Sequence, residues 1–132
     1  MSATNVIQFK ADLAKFAEQL KIEKARVVQK VVLDLWTGIT RRTPVDTGRA
    51  RANWFVTEGA PSGNVEHADA KEPNSVPAPT APNVNAITGE KSVFIINNLP
   101  YIEALENGHS KQAPNGMVRL AIQDVENQIA TK

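Results

Sequence analysis

Apolar residues recur along this chain in three helical stretches and two short extended ones. Val6, Phe9, Leu13, Phe16 and Leu20 fall at steps of three, four, three and four. That is one stripe of a helix from about Asn5 to Gln19. Lys10, Asp12, Lys15 and Glu18 supply its polar side. A core-facing helix is the plain reading, and a narrow seam for a partner helix is the alternative. From about Ile22 to Arg41, Ala25, Val28, Val32, Leu35, Trp36 and Ile39 make a second stripe, broadened by Val27, Val31 and Leu33. A helix apolar over so much of its circumference is buried on more than one side. It reads as the central helix, and Trp36 inside it then needs a partner for its indole N–H. Val118, Ala121, Ile122, Val125 and Ile129 place the last helix at about Met117 to Ala130.

Asn53 to Glu58 is aromatic and β-branched and ends at Gly59, the pattern of a strand. Ser92 to Asn97, with Val93, Phe94, Ile95 and Ile96 in a row, is the second strand. Four consecutive apolar residues predict burial on both faces, or one face on helices and the other in a subunit contact. Two strands make a marginal sheet. Further pairing is expected, from the loop around Ser110 or from a neighbouring chain. Pro100 suits the first turn of a short helix reaching Asn107, with Gly108 placed to end it. Ile102 and Leu105 then face inward, which leaves Glu103 and Glu106 on a solvated or interface side.

Between the strands lie Gly59 to Lys91, thirty-three residues that hold five of the eight prolines and no aromatic. Such a composition buries too little apolar surface to order itself. A loop of this length inside a compact domain is either a floppy insertion or an arm that orders on a partner. Pro77 and Pro79, in its polyproline-like centre, are the candidate contact residues.

The most informative stretch joins the central helix to the first strand. Pro44 biases Thr43 away from helical backbone, so the helix stops there. Asp46 offers a short acceptor to the free amides of the next turn, and Gly48 permits tight backbone geometry. Arg41, Arg42, Arg49 and Arg51 surround that turn. They read as solvated charges, as an interface in which planar guanidinium groups meet carboxylates, or as a nucleic-acid contact. The last lacks interleaved aromatics and a recognition helix.

Thr43-Pro44-Val45-Asp46-Thr47-Gly48-Arg49 followed by Trp54 resembles the signature of the tailed-phage neck proteins. These are also called tail-completion, minor tail or head–tail joining proteins, and are distantly similar to lambda's Z protein. A second block, Pro100-Tyr101-Ile102-Glu103-Ala104-Leu105-Glu106-Asn107-Gly108 through Gln112-Ala113-Pro114-Asn115-Gly116-Met117-Val118, is similar to the family's downstream pattern. The two blocks cover about a quarter of the chain, in the family's order. The resemblance implies a structural virion protein with no enzymatic activity and no cofactor. It would form a homo-oligomeric ring, taken here as sixfold, at the head–tail junction. Its implied partners are other copies of itself and other neck, tail-terminator or tail-tube proteins. Packaged DNA would pass through the ring without being specifically bound. The implied location is the virion, and the host cytoplasm during assembly.

Composition narrows this little further. The chain has 132 residues, 42% hydrophobic, with no cysteine, which fits one domain that needs no disulfide. No apolar run reaches the roughly 18–20 residues that cross a bilayer. The start lacks a signal-peptide layout, so a soluble protein made inside the cell is expected. The net charge is +1, which disfavours a dedicated nucleic-acid binder; a basic-loop nucleic-acid-binding accessory protein is nonetheless the alternative function. Residues 1–58 hold ten Lys/Arg against six Asp/Glu, and residues 59–132 hold five against eight. In a ring that asymmetry pairs a basic flank with a neighbour's acidic one; in a single copy it is a solvated accident. No phosphate-binding loop, nucleophile elbow or zinc-ligand pair is present, and His67 and His109 fall in different loops. The expectation is an α+β domain over 1–132, three main helices on a small antiparallel sheet, with an extended arm at about 59–91. Val93, Ile95, Glu103 and Glu106 join the four arginines and two prolines as candidate interface residues.

Overall fold

A computed structural model describes Ile7 and residues 12–130, apart from the side chain of Ala130. Its elements are α1 (Leu13–Leu20), α2 (Lys24–Arg42), a 3-10 turn (Arg51–Asn53), β1 (Phe55–Glu58), a second 3-10 turn (Val84–Ala86), β2 (Val93–Ile96), α3 (Ile102–Glu106) and α4 (Val118–Ala130). This is the expected α+β architecture. Asp12 caps α1 by accepting the Lys15 amide at 2.9 Å, satisfying a donor the helix start leaves open. The expected first turns, with Val6 and Phe9, lie outside the described residues.

Helix α2 is the centre of the domain. Val27, Val31, Leu35 and Ile39 pack into one core with Ala17, Ala113, Met117, Ala121 and Val125. Val28 and Val32 face a second core with Ile87, against which Val56, Val93 and Ile95 lean. Burial on two sides is thus what the broad stripe produces. At the α2–α4 crossing, a Cβ built on Gly38 would stand 3.1 Å from the Ala121 Cβ, so the two small residues set a close approach there. Trp36 is buried, and its indole N–H donates to the Trp54 carbonyl at 3.2 Å.

Strands β1 and β2 pair antiparallel, with Phe55 opposite Ile96 and Val56 opposite Ile95. Among the described residues the sheet has two strands, and the loop around Ser110 does not join it. Side chains alternate across a strand. Val56, Val93 and Ile95 therefore face the helices, while Phe55, Phe94 and Ile96 form the other face.

The segment from Gly59 to Lys91, expected as a floppy insertion or an arm that orders on a partner, makes hydrogen bonds and buried contacts with its own domain. The Asn98 side chain donates to the carbonyls of Ser62 and Asn64. Asn53, fully buried, donates to the carbonyls of Arg49 and Glu66 and accepts the Glu66 amide at 2.8 Å. The amides of Asn74 and Val76 donate to Asp46 and Thr47 carbonyls at 2.7 and 2.8 Å. Val76 and Ile87 are buried, and the Gln29 side chain donates to the Ile87 carbonyl at 2.9 Å. The physical reason is local. A polar-rich segment needs only a few buried apolar anchors when its backbone groups find partners on the domain beneath.

Candidate interaction surface

The surface begins where α2 ends. Thr43, at extended backbone, stops the helix before Pro44. Its buried hydroxyl donates to the Ile39 carbonyl at 2.7 Å and accepts the Trp54 indole N–H at 2.9 Å. Thr43 and Trp54 therefore fix the angle between α2 and the start of β1. Within the turn the side-chain acceptor is Thr47, whose hydroxyl accepts the Arg49 amide at 3.0 Å. This corrects the role given to Asp46, which is exposed and contributes its backbone carbonyl to Asn74. Gly48 has φ +96°, and a Cβ there would meet the Val76 carbonyl oxygen at 2.5 Å. Both its conformation and its neighbour therefore demand glycine.

The second motif block folds onto the first. Gln112 donates its side-chain amide to the Val45 carbonyl at 3.2 Å, and its side-chain oxygen accepts the Val45 amide at 2.9 Å. Arg41, Thr43, Val45, Gln112, Pro114 and Leu120 are among the residues lining an open recess of about 370 Å³ between the blocks. Behind it, Glu106 is buried, which corrects its placement on a solvated or interface side. Its Oε1 accepts the Met117 and Val118 amides at 2.9 and 2.8 Å, and its Oε2 accepts the Arg119 amide at 3.1 Å. A carboxylate at a helix N-terminus meets both unsatisfied donors and the positive end of the dipole. Gly116 lets the chain pass, because a Cβ there would stand 2.8 Å from Glu106 Oε2.

The other candidates sort by position. Arg42 is engaged within the chain, with Asp124 and with the Gly38 carbonyl. Arg41 is exposed beside the recess, whereas Arg49 and Arg51 are half-buried. Val93 and Ile95 pack inward against the second core, and the strand surface turned away from the helices belongs to Phe55, Phe94 and Ile96. Pro77 is exposed and Pro79 half-buried just beyond the anchored Val76. Glu103 occupies an exposed position on α3.

From the sequence alone Gln112 has no role beyond its place in the second block, and an outer strand face is expected without the residues that form it. Those residues were available from strict alternation, since Phe94 and Ile96 fall opposite in phase to Val93 and Ile95. Where β1 ends, the Glu58 carboxylate accepts the Thr88 amide and hydroxyl and the Gly89 amide at 2.8–3.1 Å. The Thr88 amide, ahead of the other donors, holds its pKa below the usual carboxylate value.

Among the described residues no three His, Cys, Asp or Glu are grouped to hold a metal ion, and no helix is long and apolar enough to cross a membrane. No family model, curated protein or solved structure matches this chain.

Proposed function

We propose that the chain is a structural subunit of a tailed-phage neck, assembling as a ring that completes the tail and joins it to the head. The observation that carries this reading is the meeting of the two resembling blocks. Far apart in sequence, they are joined at Gln112 and Val45 and together line one open recess. The subunit also offers a half-exposed sheet face bearing Phe55, Phe94 and Ile96, and aromatic residues and arginine are enriched in protein interfaces.

The mechanism is assembly by surface matching of an already built domain. The long segment lies on its own subunit through Val76 and Ile87 and presents Pro77 and its neighbours outward. Electron microscopy of the intact neck tests the proposal. A cyclic array of this chain between head and tail is the expected result, and a single isolated copy without cyclic symmetry refutes it. Salt-dependent binding of the purified protein to random duplex DNA would instead favour the nucleic-acid-binding alternative.

A further inference from the structure

We propose that the stretch from Pro77 to Pro82 is a polyproline II strut that docks into an aromatic-lined groove on a neighbouring protein chain. It rests on the assembly role above only in taking that partner to be a neighbouring protein. Pro77, Pro79 and Pro82 have φ fixed by their rings, and Val76, Ala78 and Ala81, each before a proline, are held to extended backbone. Thr80 is the one residue between Val76 and Pro82 that neither constraint touches. Accordingly the chain runs from Pro77 to Asn83 without a turn, a bend or strand pairing. Polyproline II has three residues per turn, and burial here follows that period. Val76 is buried and Pro79 and Pro82 are half-buried, whereas Pro77, Ala78, Thr80 and Ala81 are exposed. One edge of the strut therefore rests on its own domain. The other two, Pro77 with Thr80 and Ala78 with Ala81, face out, so Pro77 rather than Pro79 is the outward proline.

Both ends are held. The Val76 amide donates to the Thr47 carbonyl at 2.8 Å. Beyond the strut, the Asn83 side chain caps the turn Val84–Ala86 by accepting the Asn85 amide at 3.0 Å, and Val84 packs against the second core. The strut is thus ordered before a partner arrives, and binding forfeits little chain entropy.

Its chemistry selects the partner. No backbone group from Pro77 to Pro82 is hydrogen-bonded among the described residues. Six carbonyls stand against three amides, those of Ala78, Thr80 and Ala81, because proline has no N–H. An added strand needs donors as well as acceptors, so it pairs poorly here. A surface of tyrosine or tryptophan fits: flat rings lie against proline and alanine, and their O–H and N–H groups reach the carbonyls. No Asp, Glu, Lys or Arg occurs from Pro73 to Thr88, which leaves a phosphate chain or a charged segment nothing to pair with.

The test pans a random-peptide display library on the full chain and on A78D/A81D, whose new charges stand on an outward edge. Peptides carrying tyrosine or tryptophan should be enriched on the native chain. The double variant should bind them about tenfold or more weakly, with an unchanged thermal melt. In the native chain the enriched peptide should shift the Ala78, Thr80 and Ala81 amide resonances, a readout that needs no variant. No enrichment, enriched peptides without aromatic residues, or shifts that fall elsewhere on the molecule overturn the inference. So does a double variant that melts normally and binds undiminished. Ring symmetry in the particle plays no part in these readouts, so the assembly role and the strut fail independently.

Discussion

Gln112 holds Val45 by both of its backbone groups, donating to the carbonyl and accepting from the amide. A side-chain amide is the one uncharged group that matches a peptide unit in this way. It joins the loop before α4 to the turn after α2. Gln112→Ala should lower stability by about 1 kcal/mol. Gln112→Glu should keep only the bond from the Val45 amide and fall between the two. Urea unfolding with unchanged slope checks both values.

The cap of α4 should matter more. Glu106→Ala leaves the Met117, Val118 and Arg119 amides without their acceptor and opens space beside Gly116. A loss of about 2–4 kcal/mol is expected, with Glu106→Gln recovering part of it through its remaining oxygen. Thermal melts followed by far-ultraviolet dichroism would show the loss. A melt unchanged in Glu106→Ala would mean that the cap is not formed.

In the arginine turn, the side chain that accepts a backbone amide is Thr47 rather than Asp46. Thr47→Ala should cost about 0.5–2 kcal/mol, while Asp46→Ala should change stability by no more than about 0.5 kcal/mol. Gly48→Val should exceed both, because the new side chain meets the Val76 carbonyl as well as an unfavourable φ. Equal melts for Thr47→Ala and Asp46→Ala would undo this assignment.

The anchored segment makes its own prediction. Val76→Ala should destabilise by about 2 kcal/mol through lost burial, whereas Pro77→Ala, one residue further on, should stay within about 0.5 kcal/mol. Calorimetry of the two variants separates a segment packed on the domain from one that merely hangs from it.

Acid should loosen the end of β1. The Glu58 carboxyl has a lower pKa folded than unfolded. Its contribution is therefore complete above the unfolded pKa and disappears as pH falls through the folded one. The Thr88 and Gly89 amide resonances should shift with that titration, and Glu58→Gln should abolish the shift. Resonances that stay put across the acid range in the native chain would show that the carboxylate does not bind them.

The parts of this fold set by short-range pattern were legible. The α2 stripe predicted burial on two sides, Pro44 the end of that helix, and the aromatic and β-branched runs the two strands. What escaped depended on partners distant in sequence. Nothing near Glu106 reveals that its carboxylate reaches the amides of Met117, Val118 and Arg119, because the loop between them decides it. Val76 and Ile87 are isolated apolar residues in polar surroundings, and composition averaged over the segment hid them. Asp46 and Thr47 are both good cap residues, and only the geometry of the turn chooses between them.

The stitched segment also bears on how the molecule folds. Joining β1 directly to β2 would close one long, Pro-rich loop in a single step, before any strand contact repays the lost entropy. The bond from Asn53 to Glu66 spans only 13 residues, and each further stitch shortens what is left to close. The sheet can therefore zip up through a series of smaller closures starting at the arginine turn. The turn that follows α2 would then be among the first parts of the chain to find its long-range partners after synthesis.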